Sequence, residues 1–347
     1  MADQKENESS SKMRFNNEHL LTVLVCALTI PLSMSMWIIN LMYSKFVAGE
    51  NGFDEPKVIP PARWLASIMV PLLVAIHGYK KKSVSTSGAL LGFIFAFILT
   101  LSNYCFLIGL FTFFVTGSKA TKYKADVKKK LESDYKEGGQ RTWVQVLCNS
   151  GMAVQLGLLY LLDVGASERP IDFVKDYRAS WLMMGVLGVF ASCNGDTWSS
   201  EFGSVMSKSN PFLITSWKRV PRGTNGGVSF LGTLMGAMGG LVVGFTTYVG
   251  VLAFSDKTQL MYAPAQWPVI LYGAAAGLVG SLLDSVLGAT LQYSGVDKNG
   301  KIVLHSSLAV KHISGRNILD NHSVNLISTV IMGVGIPMVA KHLWPVY

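Results

Sequence analysis

The sequence predicts an all-α fold, a polytopic membrane bundle of about nine transmembrane helices with its N-terminus in the cytosol. Half of the 347 residues are hydrophobic and only 15% are charged, and the mean hydropathy is +0.37. Such a composition lies outside the usual range of soluble globular domains. Long apolar runs recur along the chain, and the lysine and arginine residues between them collect in alternate loops.

Apolar runs, taken in chain order, supply the predicted spans. They cover residues 20–43, 64–79, 87–115, 144–162, 181–193, 230–254, 268–291 and 324–344. A spanning helix needs about 20 apolar residues, so the stretch 84–117 is too long for one crossing. Because Ser102 and Asn103 lie near its middle, we expect it to form two short helices, which brings the count to about nine.

Charge placement predicts the orientation. With the N-terminus inside, most of the 30 basic residues fall on the cytosolic side, where such residues are enriched. A polar tail, 1–18, precedes a single integral membrane domain, 19–347, whose first apolar run is interpreted as a retained helix rather than a cleaved signal. The endoplasmic reticulum or another endomembrane is the expected location. Cytosolic loops are predicted near 117–143, 196–229 and 293–323.

An acidic segment follows the run 181–193. Asp196 and Ser200 are four residues apart, as are Thr197 and Glu201, so a helix that continues through them carries two adjacent polar stripes. Two carboxylates this close can share a magnesium ion, which prefers oxygen ligands and commonly bridges to substrate phosphates. The alternative is that Asp196 caps the helix and Glu201 is solvated.

A glycine-rich turn precedes the run 230–254. Gly223, Gly226 and Gly227 permit backbone conformations closed to other residues and, together with Thr224 and Asn225, can direct free N–H groups at an anion. The dipole of a helix that begins there would strengthen such a site. A plain glycine turn explains the same pattern.

Small residues and one acid mark two later runs. The run 230–254 carries glycine every four residues from Gly232 to Gly244, a spacing typical of close helix packing in membranes. Its neighbour is expected to be 268–292, which holds Asp284 inside an apolar stretch. A carboxylate there should face a cavity, a cation or a partner, with a buried structural hydrogen bond as the alternative.

Two helix starts complete the set of candidates. Arg141, Gln145 and Asn149 recur at four-residue intervals and align on one helix face, where they can line a cleft or serve snorkelling and interhelical hydrogen bonds. A polar cluster also opens the last run, where one member caps the helix and the others suit phosphate or base contacts. The candidates in that cluster are Asp320, Asn321 and Asn325.

Several separated motifs resemble those of the transmembrane protein 19 family, multi-span proteins that include the plant phytyl-phosphate kinases. The resemblance runs from about Trp64 to the C-terminus. Its motifs are Lys81-Lys82-Ser83, Ser87-Gly88-Ala89, Ser118-Lys119, Thr121-Lys122, Glu137-Gly138-Gly139-Gln140-Arg141, Trp143-Val144-Gln145-Val146, Gly195-Asp196-Thr197-Trp198, Ser200-Glu201, Pro221, Gly223-Thr224-Asn225-Gly226-Gly227-Val228, Gly280-Ser281, Asp284-Ser285, Gly288-Ala289, Leu319-Asp320-Asn321 and Val324-Asn325-Leu326.

What this resemblance implies is a nucleotide-dependent transfer, with CTP as the donor, that converts an isoprenoid monophosphate of polyprenyl or phytyl-like type to the diphosphate. In that interpretation Asp196, Glu201 and Asp284 are catalytic and hold Mg²⁺. Contacts to the nucleotide and phosphates fall to Arg141, Asn149, Thr197, Ser200, Gly223, Thr224, Asn225, Gly226, Gly227, Asp320, Asn321 and Asn325.

Two other classes of protein share parts of this pattern. Intramembrane acids and glycine-broken helices are equally typical of an ion-coupled transporter or lipid flippase, and a non-catalytic multi-span protein is the third reading. Gathering of the polar motifs at the cytosolic helix ends favours the enzyme. The expected partners are membrane lipids and the isoprenoid phosphate, with no nucleic acid.

Overall fold

The computed structural model describes residues 27–45, 58–124, 139–207, 209–298, 300–304 and 310–345. The predicted tail 1–18 and much of the loop 117–143 lie outside these ranges. The chain divides into two compact units, one ending at Val74 and the other beginning at Ala75. The prediction of a single membrane domain is not tested by this division and stays a prediction.

The first unit contains helix α1 (Ala27–Tyr43) and most of helix α2 (Pro61–Lys80). The Asn40 side chain accepts a hydrogen bond from the Ile59 backbone N–H at 3.0 Å. This bond ties the residues just before α2 to α1.

The second unit is a helical bundle that holds every candidate site residue. Its helices are α3 (Thr86–Ser102), α4 (Tyr104–Lys122), α5 (Trp143–Asp163), α6 (Tyr177–Met206), α7 (Phe230–Phe254), the short α8 (Lys257–Met261), α9 (Pro268–Leu291) and α10 (Asn321–Leu343). Side-chain caps begin several of them, since Ser85, Ser229 and Asp320 accept backbone N–H bonds at the starts of α3, α7 and α10.

Asn103 separates α3 from α4 and confirms the predicted break in the long apolar stretch. Its backbone is extended, with φ −161° and ψ 129°, and its side chain accepts a hydrogen bond from the Cys105 N–H as the cap of α4. The N–H of Tyr104 is satisfied by Glu168 at 2.9 Å. A fully buried break of this kind is tolerated only because these backbone groups find partners.

The predicted fold class is confirmed. Six of the described helices are long and apolar enough to cross a membrane, and α1 and α3 are shorter apolar helices. Helix α6 is longer than any of them but ends in a polar segment. The count of nine spans and the cytosolic N-terminus stay predictions.

Short strands occur between the helices. β1 (Phe212–Leu213) pairs antiparallel with β2 (Gly227–Val228) before α7. Between α9 and α10, β3 (Ser294–Val296) pairs antiparallel with both β4 (Ile302–Val303) and β5 (Lys311–Ser314). The strands lie in the loops between helices, and the main body of the fold is the helical bundle.

Helices α6, α7 and α9 cross at glycines, which confirms the predicted packing groove. A Cβ on Gly240 would lie 2.1 Å from the Gly273 carbonyl oxygen, and one on Gly195 would lie 2.4 Å from the Gly277 Cα. A Cβ on Gly236 would lie 3.3 Å from the Ser281 side chain. Only glycine lets these backbones approach so closely, and the crossing fixes α6 beside α9 at the level of Asp196.

Candidate functional site

Helix α6 carries the first acid of the site. The helix continues to Met206, so the loop predicted to begin at Asp196 begins later, and Asp196 and Thr197 stand on regular helix. The hydroxyl of Thr197 donates to the Cys193 carbonyl at 2.8 Å, a bond to the preceding helical turn. The continuing helix therefore sets the directions of both side chains.

Asp196 faces a small cavity enclosed by α5, α6, α9 and α10. Its volume is about 20 Å³, enough for one water molecule or a single bare cation. The lining residues are Asn149, Ser192, Cys193, Asp196, Thr197, Gly280, Asp284, Asn325, Ser328 and Thr329. Predicted residues from four distant segments therefore meet at one point.

The two cavity acids come from neighbouring helices. Asp196 on α6 and Asp284 on α9 both line the space, and their carboxylates interact electrostatically. No lysine or arginine is among the described residues that line it, and across the described chain the Asp196 carboxylate makes no hydrogen bond or ion pair. Two like charges at low dielectric repel each other, so this arrangement favours a positively charged ligand.

Two asparagines support the second acid. Asn325 Nδ2 donates to Asn149 Oδ1 at 3.0 Å. With the Asn325 amide turned over, the same nitrogen instead donates to Asp284 Oδ2 at 3.2 Å and to the Asn321 carbonyl at 3.3 Å. This network links α5, α9 and α10 through predicted residues. It also leaves one carboxylate oxygen of Asp284 outside the asparagine network.

Further hydrogen bonds fix the walls. Cys193 Sγ donates to the Asn149 carbonyl at 3.3 Å, and the Thr329 hydroxyl donates to the Cys148 carbonyl at 3.1 Å. Behind the cavity, the buried Asn194 side chain donates to the Gly239 carbonyl at 2.8 Å. The cavity is therefore held by interhelical bonds and is not a gap between loosely packed helices.

The polar groups of the cavity lie toward the same side of the bundle. At a rise of about 1.5 Å per residue, Asn149 and Asn325 stand roughly 6 to 9 Å after their helices begin, and Asp284 and Asp196 roughly 10 to 15 Å before theirs end. Helices α5 and α10 begin on the side of the bundle where α6 and α9 end, so these four side chains lie toward one side. It is the side predicted to be cytosolic.

Glu201 lies on another face of α6. Glu201 follows Asp196 by five residues, which rotates its side chain by about 140° around the helix axis. Asp196 and Thr197 line the cavity, whereas Ser200 and Glu201 do not. Among the residues described, no group of three or more His, Cys, Asp or Glu side chains is placed to hold a metal ion. The structure thus offers a pair of acids with neutral oxygen donors, and the role predicted for Glu201 as a metal ligand stays a prediction.

Arg141 stands near Glu201 and outside the cavity. Its guanidinium donates to the Ser118 hydroxyl at 2.7 Å and lies 5.6 Å from the Phe113 ring centre. Burial lowers the pKa of Arg141, and the Glu201 carboxylate partly offsets this. The backbone of Arg141 also pairs with Ser83, so the residue joins the start of α5 to the loop before α3.

The glycine turn before α7 is a packed structural element. Gly223 and Gly226 have φ values of +88° and +78°, the left-handed region that favours glycine. The N–H groups of Thr224 and Gly227 bond to carbonyls within the turn, and that of Asn225 donates to the Ser294 hydroxyl at 3.1 Å. These three N–H groups are therefore not free for an anion, and the phosphate contacts predicted for the turn as a whole stay a prediction.

Asp320 is the N-cap of α10. Its carboxylate accepts from the Ser323 N–H at 2.8 Å and from the Ser323 hydroxyl at 2.6 Å, and these bonds lower its pKa. Capping explains this exposed residue, and Asn321 enters the cavity network through its carbonyl. The nucleotide contacts predicted for both stay predictions.

Half of the cavity lining was not predicted. Ser192, Cys193, Gly280, Ser328 and Thr329 all line it. Gly280 stands in a family motif, and the other four lie three or four residues from Asp196 or Asn325, on the same helix faces. This spacing does not by itself show that a small residue of an apolar helix lines a cavity, because that depends on the neighbouring helix.

A family model described as "Integral membrane protein DUF92" matches residues 69–333. The chain belongs to this family. The matched range contains every motif that carried the resemblance above, and the resemblance is confirmed. The chain is thus an integral, multi-pass membrane protein of the DUF92 family.

Curated relatives extend the comparison. Protein PGR of Arabidopsis thaliana is 41% identical over 273 residues, which cover 78% of this chain and 94% of that protein. An uncharacterised membrane protein of Methanocaldococcus jannaschii is 26% identical over 273 residues, 78% of this chain and 92% of its own length. The Arabidopsis protein named "Protein VTE6, chloroplastic" is 30% identical over 188 residues, 54% of this chain and 49% of that protein. No solved structure matches the DUF92 chain significantly.

Proposed function

We propose that this protein is a membrane phosphotransferase that converts an isoprenoid monophosphate to the diphosphate, with CTP as donor and Mg²⁺ as cofactor. One observation carries the proposal. Residues from separate motifs of the family, Asp196, Thr197, Gly280, Asp284 and Asn325, line a single cavity. Motifs that meet around two acids favour shared chemistry over independent packing roles.

The lining fits a hard cation. Magnesium takes carboxylate, amide and hydroxyl oxygens as ligands and commonly bridges to substrate phosphates. Asp196 and Asp284 would hold it, and Asn325 would keep Asp284 in place through their 3.2 Å hydrogen bond. When bound, the ion supplies neutralisation of phosphate charge, the main requirement of phosphoryl transfer besides positioning.

The proposed reaction forms one phosphorus–oxygen bond and breaks another. An oxygen of the acceptor's monophosphate forms a bond to the terminal phosphorus of CTP, the bond from that phosphorus to the β-phosphate oxygen breaks, and isoprenyl diphosphate and CDP result. The cavity of about 20 Å³ has room for an ion but not for a nucleotide, so we assign the nucleotide and acceptor to residues outside it. Arg141, Ser200, Glu201, Asp320 and Asn321 are the proposed contacts there.

A transfer assay tests this proposal. Purified full-length protein in mild detergent is incubated with Mg²⁺, labelled CTP and a series of isoprenyl monophosphates of increasing chain length. We expect labelled diphosphate from wild type and at least about 100-fold less from Asp284→Asn, because a group that stabilises transferring charge is lost. Asp163→Asn is the matched control, since Asp163 pairs with Arg178 on the surface and lies outside the cavity.

An ion-coupled carrier is the second candidate, favoured by a specific observation. The acid pair lies among membrane helices in a space of single-ion size, as expected of a coupling-ion site. The same protein in liposomes separates the two functions. A carrier should show sodium or proton flux that Asp284→Asn abolishes, and no transfer to any acceptor from any nucleoside triphosphate. These two results together would reject the kinase and support the carrier.

We also propose the endoplasmic reticulum or a related endomembrane as the location. The support is the multi-pass architecture together with a cytosolic supply of nucleotide to the proposed site. Microscopy of the tagged full-length chain against organelle markers tests this, and a plastid or plasma-membrane signal would contradict it.

A further inference from the structure

Ser328 has a hydroxyl that the fold does not use. The residue lies on α10, is 6% exposed, and lines the cavity beside Asp196 and Asp284. Its buried Oγ has no hydrogen-bond partner within the described part of the chain. Buried polar groups in native proteins are nearly always paired with protein, water or an ion, so this atom points to a ligand.

The neighbouring hydroxyls differ from it. Ser192 donates to the Val189 carbonyl at 2.9 Å, Thr197 donates to the Cys193 carbonyl at 2.8 Å, and Thr329 donates to the Cys148 and Leu326 carbonyls. All three line the same cavity. Among the lining hydroxyls of the described residues, only that of Ser328 therefore makes no hydrogen bond to the protein.

Ser328 is also placed on the correct face. It follows Asn325 by three residues, which puts both side chains on one side of α10, and Asn325 contacts Asp284. A serine or threonine hydroxyl together with an aspartate is a known way of holding magnesium in phosphoryl-transfer proteins. The set here is two carboxylates, an amide and one unpaired hydroxyl, all hard oxygen donors.

We propose that Ser328 Oγ is a direct ligand of a divalent cation shared by Asp196 and Asp284. This inference rests on the cation site of the proposed function and extends it to α10. The ion then joins α6, α9 and α10, which makes the closure of these three helices dependent on the cation. The chemical class of ligand is a small divalent ion of the Mg²⁺ type.

Thermal unfolding in a magnesium titration tests the inference without any nucleotide or lipid substrate. Full-length wild type, Ser328→Ala and Ser255→Ala are compared in the same detergent, with MgCl₂ as the probe. We expect Ser328→Ala to keep or raise the Tm of the metal-free protein, because it removes an unsatisfied hydroxyl, and to weaken the apparent Mg²⁺ affinity about tenfold. Ser255 is also a buried serine whose hydroxyl has no hydrogen-bond partner within the described residues, but it lies outside the cavity. Ser255→Ala should therefore keep or raise the metal-free Tm and leave the Mg²⁺ midpoint unchanged.

Ser328→Cys supplies an independent readout that does not rely on a loss. A thiolate is a soft ligand, so this variant should shift the preference of the site from Mg²⁺ toward Cd²⁺. Cys193 already lines the cavity, and the wild-type response to Cd²⁺ is therefore the baseline. A Cd²⁺ stabilisation larger than that baseline supports direct ligation.

Equal Mg²⁺ midpoints in wild type and Ser328→Ala overturn the inference, as does wild-type protein whose Tm responds to no divalent cation. Neither result depends on the transfer assay. Conversely, a tenfold weaker Mg²⁺ midpoint in Ser328→Ala together with no phosphotransfer supports the ligand role and rejects the kinase, so the two proposals fail separately.

Discussion

Acidic residues at the two ends of helix α6 have different partners. Where the helix begins, Asp176 pairs with Arg169 at 2.6 Å, and Arg178 pairs with Asp163 at 2.7 Å. Near the other end, Asp196 shares a cavity with Asp284, and no basic residue is among the described residues that line it. The number of acidic residues does not distinguish the two ends of α6. Their partners do: acids at the first end pair with arginine, whereas the acids at the other end face each other across a cavity.

The energetic contrast explains why partners matter. Exposed ion pairs contribute about 0 to 1 kcal/mol, so the exposed pair of Arg178 and Asp163 adds little to the stability of the fold. An acid inside a membrane bundle is costly unless a cation, a proton or a hydrogen-bonding partner compensates it. The pair at the far end is therefore expected to have a function that outweighs this cost.

Filling the helix crossing beside the acid pair should have the largest effect. In Gly195→Ala the new Cβ would lie 2.4 Å from the Gly277 Cα and 2.7 Å from the Gly236 carbonyl, so the helices must separate, at a cost of about 3 kcal/mol or more. Loss of folded protein in size-exclusion chromatography and a lower Tm check this. Gly335→Ala, where nothing lies within 4 Å, should be neutral or slightly stabilising.

Neutralising either cavity acid should come next in size, and it should reduce activity without lowering stability. We expect Asp196→Asn to reduce transfer by about 100-fold or more while the metal-free protein keeps or gains thermal stability, because one of two repelling charges is gone. Transfer rate and Tm are measured on the same preparation. An Asp196→Asn protein that unfolds would show instead that the carboxylate is structural.

Removing the cap of α10 should cost about 1 kcal/mol of unfolding free energy at neutral pH, as expected for Asp320→Ala. The bonds from Ser323 lower the pKa of Asp320 from its ordinary value of 3.8, so the ionised form is favoured in the folded state. This stability is present above that ordinary value and is lost as the pH falls through the lower folded value.

The measurement is detergent-phase unfolding of wild type and Asp320→Ala from neutral to acidic pH. The difference between the two should shrink below about pH 3.8. Asp320→Asn is the control, because asparagine caps helices about as well as aspartate and cannot titrate. A difference that persists unchanged into acid would contradict a capping role for the carboxylate.

The smallest effect is expected where α6 begins. Arg178→Gln breaks the pair with Asp163, whose side chains are 75% and 36% exposed, and should change the free energy of unfolding by less than about 1 kcal/mol. Transfer activity should not change. If this variant lost activity, the proposed contrast between the two ends of α6 would be broken.

Much of the architecture follows from residue patterns that act locally. Asn103 in the middle of an overlong apolar stretch predicted the break between α3 and α4, because a side chain that caps a helix start competes with helix continuation. Glycines at four-residue spacing predicted the crossing of α7 with α9, because that spacing clears one helix face. Asp284 in an apolar run predicted a cavity or a partner, and it has both.

Other features depended on contacts between distant segments. The metal-ligand role predicted for Glu201 stays a prediction, since Glu201 and Asp196 leave different faces of α6 and only the neighbouring helices decide which face lines the cavity. The N–H groups of Thr224, Gly227 and Asn225 donate to Pro221, Thr224 and Ser294 respectively, and Ser294 is distant in sequence. Ser328 was missed because a serine in an apolar helix gives no sign of whether its hydroxyl is satisfied.

Binding of Mn²⁺, a spectroscopic substitute for Mg²⁺, tests most directly whether Asp196 and Asp284 share one cation. Electron paramagnetic resonance of purified full-length protein, titrated with Mn²⁺, reports the number of bound ions per chain. The account predicts one site, displaced by Mg²⁺ and lost in both Asp196→Asn and Asp284→Asn but retained in Asp163→Asn. A site that survives either cavity variant, or no site at all in the wild-type protein, would contradict it.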